Sequence, residues 1–562
     1  MKQNQSVTKK MPWIVTGIVM LLLLAVRCLL SWKEGVYFYA DSVFDDLWVL
    51  RHSYFSFHFQ NEDGFSLIKN MSAPLFFFAI RHMGLPYELA LTGLYFAAAL
   101  GMFYAAYLIG KSLLLSLTAY GLTLFIPISF EITSTRLYRM GILPPVVLLL
   151  FVLLVLGMLF LNRPIRKSRY MLLLRAFTGV CALFAVYIKE DGIWLIAVLL
   201  ADMVLELLVI FIRRKKEPAL KRKQAGLILA VILPVCIVFG GTEIYKSINY
   251  HCFGVREVNT RTEGEAADFM SRIYQIESED RTAEVWAPED ALEKAIAVSP
   301  TLAAQETLVR HILGDESTEI QGDFLGWRIN GAIADMGLLN EYSEIQRLFG
   351  EINDELDEAF QDGRLQKDDR FQLVSSAGGR SKEEMKILLK DTIMTLRYAV
   401  MCYHYNVAGF SFVQDETMAD KLREQRPIAA EAALDRRILE PESYCDENLN
   451  RLLRGIVRAM GILQTVLLLL ACVSFFAIGI LWIKKKNYRT QKIGWLLIGM
   501  FLLTGIAVVY AVGIAWFSSF IGEGAFVSYG GPLEGILPIV YLFGVLVLRE
   551  ALRIRKEEKN NG

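Results

Sequence analysis

Histidine, cysteine and charged residues are all scarce in this sequence of 562 residues, which has 6 His, 7 Cys and 21% charged residues. No two cysteines have the C-x-x-C spacing of a zinc site, so we predict no structural zinc. A Walker loop, a G-x-S-x-G elbow and a G-x-G-x-x-G turn are also missing, which argues against the enzyme classes that those motifs mark.

Apolar residues are abundant, at 54% of the chain with a mean hydropathy of +0.38. This is too apolar for an ordinary soluble protein. A helix needs about 20 mostly apolar residues to cross a bilayer. We therefore predict an all-α integral membrane protein with about ten transmembrane helices, at residues 13–30, 87–110, 112–128, 141–161, 172–188, 193–212, 225–244, 461–483, 493–517 and 533–548.

Charge alternates between the loops that join these runs. Basic residues collect in every second loop, as expected of cytoplasmic loops, and we predict a cell-membrane protein with both termini cytoplasmic. Residues 246–447 contain 22 Lys/Arg against 40 Asp/Glu. The predicted organisation is a transmembrane core at 1–244 with a first outside loop at 31–86, an acidic extracytoplasmic domain at 245–454, and a three-helix transmembrane segment at 455–562.

The acidic domain is predicted to be mainly helical. Glu289 and Asp290 follow a proline and suit the first turn of a helix. Residues 342–360 carry apolar side chains at helical spacing. Ser381 and Glu384 have the spacing of a capping box. Basic runs flank predicted spans, so they require no nucleic-acid partner.

Three acids lie close together in the first outside loop: Asp41, Asp45 and Asp46. Such carboxylates can accept a proton, hold a divalent ion or pair with a cation. They also fit a simpler interpretation, the solvated first turn of an interfacial helix. The residues alone leave both open.

Cations in outside loops are unusual under the positive-inside rule. Lys69 either binds a phosphate or anchors its loop at headgroup level. Arg136, Arg139 and Lys189, with the adjacent acids Glu190 and Asp191, suit a lipid-linked anion or form ordinary loop ion pairs.

Asp202 and Glu206 lie one turn apart inside a predicted span. Acids in a membrane are candidates for function. A structural role facing a neighbouring helix is the other interpretation.

These motifs, in this order, resemble the GT-C superfamily of polytopic glycosyltransferases, which includes protein O-mannosyltransferases and aminoarabinose transferases. The chain is also similar to uncharacterised bacterial members of that type. The resemblance rests on the Asp45-Asp46 loop, Lys69 before Pro74-Leu75, Arg136 and Arg139, Lys189-Glu190-Asp191-Gly192-Ile193-Trp194, and the stretches at 249–255 and 324–328.

The resemblance implies transfer of a sugar from a polyprenyl-phosphate donor to an extracytoplasmic acceptor, which is an envelope glycan, lipid or protein. Asp45 or Asp46 would be the catalytic base. Lys69, Arg136, Arg139 or Lys189 would stabilise the leaving phosphate. Glu190 and Asp191 would orient these groups or hold a divalent cation, Mg or Mn.

Two other functions stay open at this point. A lipid or polymer transporter often contains inverted repeats, and none is visible here. A non-catalytic envelope scaffold would tolerate neutralisation of the loop acids.

Overall fold

We describe the protein from a computed structural model, which covers residues 2–36, 67–161, 168–216, 224–314, 319–339, 341–407, 419–439, 446–522 and 524–561. Helices dominate these residues, and the strands form one two-stranded antiparallel sheet, β1 Val285–Ala287 and β2 Ile320–Gln321. The prediction of an all-α protein is confirmed in this sense.

The helices before the acidic region are α1 Lys2–Glu34, α2 Ser72–His82, α3 Tyr87–Gly110, α4 Leu113–Leu124, α5 Ile132–Thr135, α6 Arg139–Leu161, α7 Ser168–Val186, α8 Trp194–Lys216 and α9 Gln224–Phe253. Those of the acidic region are α10 Glu265–Ile273, α11 Glu289–Val298, α12 Pro300–Ala303, α13 Glu306–Leu313, α14 Leu325–Asp335, α15 Tyr342–Gln361, α16 Glu384–Met401 and α17 Ala419–Ala433.

The last helices are α18 Glu447–Val473, α19 Gly479–Lys484, α20 Gln491–Ile521 and α21 Gly524–Asn561. Short 3-10 helices lie at Pro127–Phe130, Arg436–Leu439 and Lys486–Tyr488, and one π-helical turn, Ser474–Ile478, joins α18 to α19.

Nine helical segments among the described residues are long and apolar enough to cross a membrane, so the chain is a multi-pass membrane protein. A shorter apolar helix, Tyr170–Val186, lies where the fifth span is predicted. Two spans are central, because 83% of the most apolar stretch is buried in both Arg139–Leu161 and Tyr529–Asn560. The other spans surround them and expose apolar faces that a bilayer would cover.

One intramembrane ion-pair cluster lies on the face shared by α7 and α8. Arg175 donates to Glu206 and, at 3.4 Å, to Asp202. Any side chain at Gly157 would overlap the guanidinium, so this glycine makes room for it. The structural interpretation of the two acids fits this geometry, and their cation comes from a neighbouring span. A buried arginine next to two acids satisfies charges that are costly in a membrane.

The acidic region packs around its own apolar core, which includes Trp286, Phe349 and Leu356. The predicted helix starts are confirmed at α11 and α15. The capping box is also confirmed: the Ser381 hydroxyl accepts from the Glu384 backbone N–H, and the Glu384 carboxylate accepts from that of Ser381.

This separate core ends within α16. Leu388 belongs to it, whereas Tyr398, Ala399 and Val400 pack into the core of the spans. Helix α16 therefore connects the predicted domain to the membrane bundle, and described residues after it, such as Ala429 and Ile438, pack with the spans.

The end of α20 forms the other junction between the domain and the spans. Arg380 donates to the carbonyl of Trp516 at 2.6 Å, and the Trp516 indole donates to the carbonyl of Gly378 at 3.0 Å. Trp286 packs against Phe520 with ring centroids 5.2 Å apart. We call the end of the spans that carries this domain the domain side.

Candidate functional site

The segment before α2 is fixed against the start of the domain. The Thr260 N–H donates to the carbonyl of Leu67 at 2.8 Å, and the Asn259 amide donates to Asn70 at 3.0 Å. The Met71 N–H donates to the Tyr245 hydroxyl at 3.2 Å. These bonds hold Lys69 in place, and its side chain is only 1% exposed.

A second segment enters from the loop before α6. The Tyr87 hydroxyl donates to the carbonyl of Arg136 at 2.7 Å, which fixes this turn to α3. The Arg136 and Arg139 guanidiniums lie 4.5 Å and 5.1 Å from the Tyr138 ring centroid. Arg139 also donates to the Tyr138 hydroxyl at 2.7 Å. One aromatic ring thus positions two cations.

Glu190 enters from the tight turn between α7 and α8. A side chain at Gly192 would overlap the backbone of Val186, so only glycine fits this turn. One guanidinium nitrogen of Arg139 donates to both carboxylate oxygens of Glu190, at 2.6 and 2.8 Å. Both side chains are buried, at 2% and 8% exposed.

The charge on Glu190 is strongly stabilised by its neighbours. Burial alone raises the pKa of a carboxyl group, but the positive charges of Arg139, Lys69 and Arg261 outweigh burial and lower the pKa of Glu190 to about 2. These three cations come from three separate parts of the chain. Arg139 contacts the carboxylate directly, and the charges of the other two also favour its ionised form.

Arg261 and Trp327 are the domain's contribution. Arg261 donates to Asp323, and the Trp327 ring centroid lies 5.8 Å from its guanidinium and 5.0 Å from the Lys69 ammonium. A small pocket lies beside them, and it is lined by Arg261, Trp327, Thr260 and Met270. Most of its lining is apolar, and Arg261 gives it one positive side chain.

We define the cationic site as Lys69, Arg139, Glu190, Arg261 and Trp327. Lys69, Arg139 and Glu190 were predicted as site residues, and the structure brings them together. Arg136 lies next to the site across Tyr138. Among the described residues, three cations face two acids, Glu190 and Asp323, and the remaining positive charge is suited to an anion such as a phosphate.

Lys189 and Asp191 are directed elsewhere. Lys189 pairs with Asp191 at 3.3 Å and lies 4.1 Å from the ring centroid of Tyr529 in α21. This matches the simpler interpretation of a loop ion pair for these two residues. Asp41, Asp45 and Asp46 lie outside the described residues.

Arg261 and Trp327 were not predicted as site residues. Trp327 lies in the stretch at 324–328 that contributed to the family resemblance, and this resemblance was the feature of the sequence that marked it. Arg261 lies about 190 residues from Lys69 along the chain, and nothing local in the sequence indicates that the two meet.

A second polar cluster lies near the domain-side ends of the spans. Glu534 accepts from the Tyr405 hydroxyl at 2.5 Å, from the Gln464 amide at 3.3 Å and from the Ile128 N–H at 3.3 Å. Nearby, burial raises the pKa of the Glu131 carboxyl to about 7. The cluster connects the spans α18 and α21 to Ile128, and to Tyr405 just after α16. Among the described residues, no three His, Cys, Asp or Glu are grouped to hold a metal ion.

No protein-family profile, curated protein or solved structure matches this chain.

Proposed function

We propose that this chain is a membrane glycosyltransferase that moves a sugar from a polyprenyl-phosphate donor to an acceptor on the domain side of the membrane. The observation that carries the proposal is a group of three cations at the domain side. Arg139 pairs with Glu190 at 2.6 Å, and Lys69 and Arg261 lie 5.0 Å and 5.8 Å from the ring centroid of Trp327. A phosphate bears negative charge that such cations bind well, with arginine able to bind it through two nitrogens.

The level of the site in the membrane supports a lipid-linked phosphate rather than a free one. Arg139 is the first residue of a span, and Lys69 lies three residues before α2. The headgroup phosphate of a membrane lipid lies at this depth, while its chain extends into the bilayer. A polyprenyl phosphate could therefore reach the cations without leaving the membrane.

The domain side is, in this proposal, extracytoplasmic. The opposite ends of the spans are followed by basic segments, which include 213–223 and 484–492, and basic segments stay in the cytoplasm. The acidic domain lies at the other ends.

The proposed reaction is a single displacement with inversion. Asp45 or Asp46 takes the proton of an acceptor hydroxyl, and the oxygen attacks the anomeric carbon of the donor sugar. The bond between that carbon and the phosphate oxygen breaks, and polyprenyl phosphate leaves. Lys69 and Arg261 stabilise the charge that collects on the phosphate, and Glu190 holds Arg139 in place. The predicted Mg or Mn stays a prediction, and no step here depends on it.

The test is transfer or release of sugar from short-chain polyprenyl-phosphate sugars by the purified protein in lipid. We expect activity in the wild type and its loss in a folded Asp45→Asn/Asp46→Asn variant, with folding checked by thermal melting. An unchanged rate in that variant, or no activity with any donor, would refute the proposal.

A further inference from the structure

Helix α16, Glu384–Met401, exposes an apolar face although it lies against the membrane bundle. Leu389 and Ile393 are 63% and 59% exposed and lie one turn apart. The opposite face is buried, at Leu388, Thr392, Thr395 and Ala399. An exposed apolar stripe on a helix of a folded domain indicates a surface that something else covers.

The helix approaches the spans along its length. At its middle, Asp391 accepts from the Ser518 hydroxyl of α20 at 3.5 Å. Farther along, Tyr398 stacks on Phe526 with ring centroids 5.3 Å apart. Just after its end, the Cys402 thiol contacts Gln464 of α18 at 3.8 Å.

The lengths of the spans show how deep these contacts lie. A hydrocarbon core about 30 Å thick takes about 20 helical residues at about 1.5 Å each. About twenty residues counted from Gln491 along α20 end near Ala511, and Ser518 lies about 10 Å beyond that end of the hydrocarbon core. About twenty residues counted back from Lys484, through α19 and into α18, end near Gln464. The middle of helix α16 therefore lies about 10 Å above the hydrocarbon core, and its end lies at the edge of that core.

The exposed face is basic as well as apolar. Lys386, Lys390 and Arg397 are exposed on the same side as Ile393. They lie in a region that is acidic overall. Long cationic side chains with apolar neighbours suit the headgroup layer, where the stems contact lipid chains and the charges contact phosphates.

Nearby, a loop adds exposed apolar side chains at the same level. Phe371, Leu373 and Val374 are 58%, 43% and 48% exposed. The Phe371 ring centroid lies 6.2 Å from that of Trp516, two residues before Ser518 on α20. At the other end of α16, Met401 lies against Gly461, and the adjacent Ile462 is 70% exposed on a span. The exposed face is thus continuous with the lipid-facing surface of α18.

We propose that α16 and the loop at 371–374 lie in the domain-side leaflet as an interfacial helix that binds phospholipid. Leu389 and Ile393 contact lipid at the level of the headgroups, and Lys386, Lys390 and Arg397 bind headgroup phosphates. The domain is then held to the bilayer at a second place besides the spans. This inference does not depend on the transferase activity.

The test uses the full-length protein in bilayers, with the photo-crosslinker benzoylphenylalanine placed at Ile393. Val509, 70% exposed on a span, is the lipid-facing control. Glu351, exposed on the domain helix α15, is the water-facing control. We expect lipid adducts at Ile393 and Val509, detected by mass spectrometry, and none at Glu351. Crosslinks from Ile393 to protein only, or no adduct there, would overturn the proposal.

The phosphate contacts have their own test, in bilayers that mix phosphatidylglycerol with phosphatidylcholine. Each cation near an anionic surface contributes about a fivefold preference. Replacing Lys386, Lys390 and Arg397 by Gln should therefore reduce the enrichment of phosphatidylglycerol in the Ile393 adducts. The same enrichment in this variant as in the wild type would refute the assigned role of the cations.

Discussion

Glu190→Gln is the substitution that most sharply tests the electrostatic description of the cationic site. It removes the acid and leaves the Arg139 guanidinium buried and charged, because arginine keeps its proton in proteins. Breaking one partner of a buried ion pair costs about 3–5 kcal/mol. Lys69 and Arg261 lose a counter-charge as well. We expect a loss of folding free energy in this range.

The matched control is Glu243→Gln. Glu243 pairs with Arg256 at 2.6 Å, but the two side chains are 59% and 64% exposed. Exposed pairs contribute about 0–1 kcal/mol. The same chemical change should therefore shift the unfolding equilibrium at least about thirtyfold less at Glu243 than at Glu190.

The assay is equilibrium unfolding in mixed micelles, compared for the wild type and the two variants. The double variant Arg139→Gln/Glu190→Gln should recover part of the lost stability, because it removes the buried positive charge together with its counter-charge. The reasoning is wrong if Glu190→Gln costs no more than Glu243→Gln, or if the double variant is no more stable than Glu190→Gln.

Three further predictions concern folding stability. Gly322→Ala should lower the melting temperature clearly more than Gly363→Ala, since both have positive φ but only the side chain at 322 would overlap the ring of Phe520; equal shifts would contradict the packing described at the domain junction. Burial raises the pKa of Glu131 from 4.5 to about 7 in the folded protein. As pH rises through this range, the unfolded chain loses the Glu131 proton first, so the stability of the wild type should fall relative to that of Glu131→Gln; parallel pH profiles would contradict this. Arg175→Met should lower the folded yield by leaving Glu206 without its cation, and a normal yield would argue against the pair.

Sequence reasoning was most successful where the signal is local. Apolar runs of about 20 residues located the spans, and the spacing of Ser381 and Glu384 located a capping box. The predicted fifth span is short, and the helix at that position, Tyr170–Val186, is shorter than the nine described helices that are long enough to cross a membrane. Its Arg175 was not recognised as the partner of the acids in the next span, because pairing between helices leaves no mark in the local sequence.

The site was predictable in part for the same reason. A cation in an outside loop departs from the expected charge distribution, so Lys69 and Arg139 were noticeable from the sequence alone. Arg261 is an ordinary residue in a charged domain, and only the fold brings it to Lys69. Lys189 is also a cation in an outside loop, so it was as noticeable as Arg139. Its side chain nevertheless points to Tyr529, because the turn directs the side chains of Lys189 and Glu190 apart.

The most direct test of the proposed function is the affinity of the purified protein for a short-chain polyprenyl phosphate. Losing one charge-assisted contact should weaken binding about ten- to hundredfold. We predict this loss in Lys69→Gln and in the more exposed Arg261→Gln, and unchanged affinity in the control Arg256→Gln, with folding checked in each case. Equal affinity in all four proteins, or no binding by the wild type, would contradict the account.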